Sequence, residues 1–369
     1  MGALDRYLAR EILLPFAAAL LFLTQLLLAS QLLAQADVLF GTGVSPWDVA
    51  RILADLVPHV LEYVLPVAFL LGAVLGVGRL AEDREIVALS AAGVSPVRLV
   101  RVPLLLGAAV SAVALWVALQ VAPAGLRDAR TRVDDVIRRN LQGEIRAGVF
   151  YEEIPGLTLY AAESGPGGFR HVLIADRSNP SAPVLALAET GHFEPTRGGG
   201  LRLVLEGGEL HREEPGARDY VVARFERASV DLGLGQALGG RNRLSGSAFE
   251  LSPGEILRAA SPATARNAED ARYWGTFFWR RIAVPFGILA LGLLAVPIGA
   301  LRRGGRAFGY GVTLLAVVAY YSLLRFGEGL SHQGTLPPWL GPNLANLATL
   351  AAALALLALL ARRGAGAVR

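Results

Sequence analysis

The chain has 369 residues, 53% of them hydrophobic and only 18% charged, where soluble proteins carry about 25% charged residues. It has no Cys and no Lys, so its basic residues are all Arg, and its formal net charge is +4. These absences exclude disulfides, thiolate metal sites, a cysteine nucleophile, Schiff-base chemistry and a P-loop, whose Lys holds the nucleotide phosphates. Any ATP is therefore hydrolysed by a partner.

Arg6 and Arg10 precede a first apolar run from Ile12 to about Ala34. At about 1.5 Å per residue, that run spans the ~30 Å hydrocarbon core. Ala34-Gln35-Ala36 resembles a signal-peptidase site, but roughly 22 apolar residues exceed a signal-peptide core, so the segment reads as a retained helix. A second run covers Val57 to Val77, with His59 and Glu62 near its start, and a third covers Val97 to Val121. Leu126 to Leu141 carries charge at helical spacing and continues the third span outward. Leu157 to Tyr160, His171 to Ile174, Leu201 to Leu205 and Tyr220 to Phe225 alternate with period two. Gly- and Pro-rich punctuation separates them at Gly165 to Gly168, Asn179-Pro180, Gly198 to Gly200 and Pro215-Gly216. This is the pattern of short antiparallel strands in a sandwich or open roll. Ser252 to Asp270 reads as a helical connector. Trp274, Phe277, Phe278 and Trp279 form an aromatic belt before the fourth run, Ile282 to Leu301. The fifth covers Phe308 to Leu324 and the sixth Leu340 to Leu360.

The fold class expected is an α-helical polytopic membrane protein. Six transmembrane helices are split three and three around an inserted, water-exposed β domain. The divisions are 1–125, with a short helix at about 82–92, then 126–272 for the β domain with helical connectors, and 273–369 for the remaining spans and tail. Arg79, Arg84, Arg98 and Arg101 flank one short loop, Arg302, Arg303 and Arg306 another, and Arg362, Arg363 and Arg369 follow the last span. The opposite loops have Arg51 alone. The positive-inside rule then puts both termini in the cytoplasm of a bacterial inner membrane and the β domain outside. Arg clustered beside apolar spans explains the basic balance without nucleic acid.

Arg79 to Pro96 is the most informative stretch. It reads as a short helix, with Ile86 and Leu89 on one face and Glu82 and Glu85 one turn earlier. Gly93 fits the helix stop, and Ser95-Pro96 fits the start of the next helix. Such a helix between two spans can dock a soluble partner, or be a plain charged turn. Arg127, Arg130 and Arg132 lie beyond the third span and could bind phosphate bidentately, or be solvated beside Asp128, Asp134 and Asp135. Arg280, Arg281, Arg325 and Glu328 sit near span ends, as interfacial anchors or as lipid and gate contacts. Glu62 and His59 read as interfacial or helix-pairing residues rather than a proton relay. His59, His171, His192, His211 and His332 are scattered, so no catalytic triad, metal site or cofactor site is proposed.

Glu85-Ile86-x-x-x-x-Ala91-x-Gly93-x-Ser95 resembles the coupling segment of the LptF/LptG family, the permeases of the lipopolysaccharide exporter. The resemblance extends to Leu4-Asp5-Arg6-Tyr7-Leu8, Leu65-Pro66 with Leu71-Gly72, Val121-Ala122-Pro123, Trp279-Arg280-x-Ile282, Val296-Pro297, Gly305-Arg306 and Pro337-Pro338. The Gly305-Arg306 loop is more like the LptF branch, while the start and second span are as much like LptG; the reading leans to LptF. The resemblance implies a jellyroll-like external domain. It also implies pairing with a paralogous permease over an LptB-like ATPase dimer, and hand-over of lipopolysaccharide to an LptC/LptA-like periplasmic bridge. Glu82, Glu85, Ile86, Leu89 and Gly93 are then ATPase-coupling residues, with the apolar pair filling a groove on the ATPase. Arg127, Arg130, Arg132, Arg280, Arg281 and Arg325 are lipid-headgroup candidates. The family's basic residues at the outer end of the first span have no match in Ser30 to Ala36. Two other classes compete: a mechanotransmitting permease of the lipoprotein-release type, which places its external domain after the first span, and a docking protein with no ATPase.

Overall fold

A computed structural model describes the chain except residues 1, 35–44, 144–146, 155, 166–167, 178–182, 196–200, 214–219, 232–246, 301–304 and 364–369. Gln35 and Ala36, the loop residues at 166–167, 179–180, 198–200 and 215–216, and Arg302, Arg303 and Arg369 lie outside the described residues. The long helices are α1 (Ala3–Ala34), α2 (Pro46–Glu82), α4 (Arg101–Trp116), α5 (Ala122–Gly143), α7 (Ala268–Ala300), α8 (Gly305–His332) and α9 (Leu344–Arg363). Between them lie the short α3 (Glu85–Ala91) and α6 (Pro253–Ala260). Among the described residues six helices are long and apolar enough to cross a membrane. Three precede and three follow six strands: β1 (Phe150–Ile154), β2 (Leu157–Gly165), β3 (Gly168–Asp176), β4 (Val184–Pro195), β5 (Leu201–Glu213) and β6 (Tyr220–Asp231). The protein is thus a polytopic helical protein with an inserted β domain.

Chain contacts divide it into two compact units, one of residues 1–30, 56–125 and 251–369, the other of 31–55 and 126–250. The connector, grouped with the β domain in the sequence reading, therefore belongs with the helices, where α6 packs on α7. Its start is a capping box: Ser252 N donates to Glu255 Oε2 (2.7 Å), Glu255 N donates to Ser252 Oγ (3.4 Å), and Pro253 needs no donor at the first position.

In the helical unit α7 is the hub, with 78% of its most apolar window buried against 11% for α1. One core joins Leu8 and Ile12 of α1, Phe69 and Leu70 of α2, Ile288, Leu291 and Val296 of α7, Tyr320 of α8 and Leu357 of α9. Gly72 and Gly76, one turn apart on α2, let α1 approach closely. A Cβ on Gly72 would lie 2.6 Å from Phe16 Cβ, and one on Gly76 2.8 Å from the Glu11 carbonyl oxygen. Small residues four apart are how helices close up where lipid offers no hydrophobic drive. That carbonyl is also the one Pro15, lacking an N–H, cannot bond. Proline likewise explains the π-helical stretch Val117–Val121 between α4 and α5: Pro123 cannot donate to the carbonyl of Leu119, and the ladder widens just before it. Leu14, Leu21, Phe22 and Leu26 of α1, with Leu314, Leu315 and Val318 of α8, are exposed. They give an apolar outer surface suited to hydrocarbon.

In the second unit α5 buries Leu126, Ala129, Val133 and Val136 at helical spacing. The strands form one antiparallel sheet in the order β1-β2-β3-β4-β5-β6, the jellyroll-like module. A line of residues crosses it: His171 faces Glu189, and Gly207 faces Glu189 on one side and Glu226 on the other, by the flanking registers. His171 (φ 51°) and Gly207 (φ 64°) have left-handed backbone there. Burial changes parity at the line, with Phe169 and Val172 both buried on β3, and Ala188 and Gly191 on β4. The pairing register runs unbroken through the line, so the side chains change face there without an inserted residue. Leu157, Leu159 and Ile174 on one side and Phe169, Phe193, Leu203 and Leu205 on the other then share one core. Leu203 and Leu205 are core residues, fully buried.

Candidate functional site

The coupling segment is built from helix ends. α2 runs to Glu82, and Arg84, with left-handed backbone (φ 59°), turns the chain into α3. Glu82 therefore ends the second span and does not share a helix with Glu85, which corrects the single short helix expected from the sequence. The stop at Gly93 (φ 81°) is as expected: Gly93 N donates to Ser90 O (3.0 Å) and Val94 N to Leu89 O (2.9 Å), a Schellman closure. Pro96 opens a 3-10 turn, Pro96–Val100, that leads into α4.

Ile86 is 5% exposed and belongs to the same core as Leu8, Leu80 and Leu99; Leu89 packs partly against it. Ile86 thus roots α3 in its own chain and is not available to fill a partner's groove. The apolar residue α3 exposes is Val87, at 48%, which the sequence reading did not single out because it stands off the Ile86–Leu89 face. Glu82 and Gly93 are exposed, and Glu85 is half-buried. Tyr7 Oη donates to Glu85 Oε1 at 3.0 Å, and Arg79 pairs with Glu11 at 2.8 Å. Glu85 keeps acceptor capacity on both oxygens, since a carboxylate offers about four lone-pair sites.

Of the headgroup candidates on α5, Arg127 is exposed. Arg130 pairs with Glu250 (Nη1–Oε2, 3.0 Å) and Arg132 with Asp55. Both of these carboxylates come from segments distant in the sequence.

Arg280 and Arg281 sit well inside α7, which begins at Ala268, and the aromatic residues at 274–279 lie within that helix. Both side chains are held by partners within the protein. Arg280 pairs with Glu328 of α8 (Nε–Oε1, 3.2 Å), the side chains 11% and 9% exposed, and donates to Tyr63 Oη of α2 (2.8 Å). Arg325 pairs with the other Glu328 oxygen (2.9 Å) while 64% exposed. Arg281 donates to the Leu251 carbonyl (2.7 Å). Tyr321 Oη donates to Tyr63 O (3.2 Å), and His59 Nδ1 lies 3.8 Å from Glu62 Oε2. Nearby, Tyr320 Oη donates to Asn346 Oδ1, whose Nδ2 donates to Ala283 O. A polar layer thus ties α2, α7, α8 and α9 together. Asn346 and the tyrosines were missed because each is an isolated polar group in an apolar run. Their signal was depth in a span, where a polar group needs a partner.

The family described as "Lipopolysaccharide export system permease LptF/LptG" matches residues 6–359. The chain is 24% identical over 340 residues to "Lipopolysaccharide export system permease protein LptF" of Escherichia coli strain K12, covering 91% of this chain and 89% of that protein. The proteins of the same name from Escherichia coli O157:H7 and Shigella flexneri align with the same identity and coverage.

Proposed function

Because this chain belongs to the LptF/LptG family of lipopolysaccharide export permeases, we propose that it extracts lipopolysaccharide from the bacterial inner membrane, driven by ATP hydrolysis in a partner. The partner is an LptB-like ATPase dimer, and a paralogous permease of the same family completes the cavity. Both termini and α3 face the cytoplasm, and the β domain faces the periplasm, where it hands lipid to an LptC/LptA-like bridge. The observation that carries this reading is α3 itself. It is a seven-residue helix between two spans, closed by a Schellman turn and rooted by Ile86, with Glu85 and the exposed Val87 beside it. ATP binding draws the ATPase subunits together, and a helix so rooted carries that motion into the core that Ile86 shares with α1, α2 and α7. Lipid in the cavity between the permeases is then displaced toward the β domain. Arg127 is the exposed headgroup contact on α5.

Glu85→Arg tests this. A carboxylate there accepts from a guanidinium of the ATPase; reversing its charge should abolish lipid-stimulated hydrolysis and export while the protein still inserts. Glu85→Gln, which keeps an acceptor, should be milder. An Arg→Glu change on the ATPase should restore part of the activity of Glu85→Arg. Wild-type export and turnover in purified Glu85→Arg complex would end the coupling reading. The lipoprotein-release class fits less well, because three spans rather than one precede the β domain here. A docking protein without an ATPase predicts that no nucleotide-hydrolysing subunit co-purifies.

A further inference from the structure

The first helix makes a polar contact with the coupling helix at Tyr7. Gly2 N donates to Asp5 Oδ2 (3.1 Å), which closes the start of α1. Two residues on, Tyr7 Oη donates to Glu85 Oε1 (3.0 Å). Leu8 and Ile12, 1% and 0% exposed, follow on the buried face and share a core with Leu80, Ile86 and Leu99. One turn after Tyr7, Glu11 holds Arg79 of α2 (2.8 Å). Below that, the Gly72 and Gly76 contacts press α2 against α1. From Tyr7 to Phe16, therefore, α1 is held to α3 and α2 by a continuous series of polar and apolar contacts.

Glu85 needs such a contact. It is the first residue of a short helix whose N-cap, Arg84, supplies no side-chain cap. A half-exposed carboxylate there has several rotamers, and holding one against solvent costs entropy at each docking event. A phenol hydroxyl on Oε1 selects one orientation and leaves Oε2 open to a guanidinium. Tyr7 is 38% exposed, so the bond is reachable by water and its effect is graded rather than absolute.

We propose that Tyr7 is a positioning residue for the coupling carboxylate: its hydroxyl orients Glu85 for the ATPase and passes the displacement of α3 directly to the first transmembrane helix. This rests on the reading of Glu85 as the ATPase contact. It adds that α1, whose outer face is apolar and exposed, is the first span to move.

The test uses the whole transporter, permease pair with ATPase, reconstituted in proteoliposomes with lipopolysaccharide. Tyr7→Phe keeps the ring and deletes the hydroxyl. It should lower lipid exported per ATP about three- to tenfold, the scale of one partly exposed hydrogen bond to a charged group. In a Glu85→Ala background, itself impaired, Tyr7→Phe should change export by less than about 1.5-fold, because the group it acts through is gone. Co-purification of the ATPase with Tyr7→Phe should stay at wild-type yield. Three results would each overturn the proposal while leaving Glu85's role standing: wild-type coupling in Tyr7→Phe while Glu85→Ala is impaired, equal losses in both backgrounds, or failure of Tyr7→Phe to assemble. Wild-type export by Glu85→Ala would remove the coupling reading itself, and this proposal with it.

Discussion

The Arg280–Glu328 pair offers the most direct measurement of what holds the helical unit together. Replacing Arg280 with Met keeps the volume but leaves the Glu328 carboxylate, 9% exposed, without its buried partner and Tyr63 without its donor. Removing one member of a buried pair costs about 3–5 kcal/mol in soluble proteins. Two features reduce that here. Arg325 still holds the second oxygen of Glu328, and a chain unfolded within lipid finds alternative polar partners, so interhelical bonds average nearer ~0.6 kcal/mol. We expect a loss of about 2–3 kcal/mol for Arg280→Met. The double replacement Arg280→Met with Glu328→Met removes both charges and should fall within about 1 kcal/mol of wild type. The pair is then coupled by roughly 2 kcal/mol or more in a double-mutant cycle. The assay is reversible unfolding in mixed detergent micelles, followed by Trp fluorescence. Single replacements each costing under about 0.5 kcal/mol, with a strictly additive double, would refute the claim that this pair ties α7 to α8.

Arg127→Gln should weaken binding of lipopolysaccharide more than of a zwitterionic phospholipid, by filter or fluorescence titration. Arg132→Gln should instead lower stability by at most about 1 kcal/mol, as partly exposed pairs do, and Arg130→Gln by more, because it leaves the buried Glu250 carboxylate without this partner; equal affinity after Arg127→Gln would return it to the solvated surface. For topology, Cys placed at the exposed Thr335 should react with an impermeant maleimide from outside, and Cys at the exposed Ala92 only after permeabilisation. The reverse pattern would invert the orientation.

The spans were legible because a bilayer imposes length and apolarity on contiguous residues. The strands at Leu157, His171, Leu201 and Tyr220 were legible because half-buried strands alternate. β4 begins Val184-Leu185-Ala186-Leu187-Ala188, an unbroken apolar run, so period two was hidden there. Helix bounds were harder. α7 begins at Ala268 because Asn267 Oδ1 accepts from Asp270 N (2.7 Å), a cap set well before the apolar run at Ile282. The stop at Gly93 was readable since a left-handed position after a helix favours glycine. The break at Arg84 was not, because a left-handed Arg carries no such mark.

Charge partners are the part sequence does not expose, and the reason is geometric. Arg130 and Glu250 are 120 residues apart, Arg132 and Asp55 are 77 apart, and Tyr7 and Glu85 are 78 apart. Each pairing depends on which helices touch and in what rotation, and that is fixed by small residues such as Gly72 and Gly76 and by proline-induced shifts, not by the ions. The consequence bears on function. An Arg beside a membrane can take a lipid phosphate only if releasing its own carboxylate costs less than the phosphate gains. Arg280, nearly buried with Glu328 and Tyr63, would have to abandon both. Arg132, 42% exposed, would lose a pair of about 0–1 kcal/mol, small against a charge-assisted bond to phosphate of about 1.5–3 kcal/mol, whereas Arg130 would leave the buried Glu250 carboxylate without this partner. On the proposed function, an arriving headgroup would therefore recruit Arg127 and Arg132 before Arg130, while the pair in the polar layer stays with the fold.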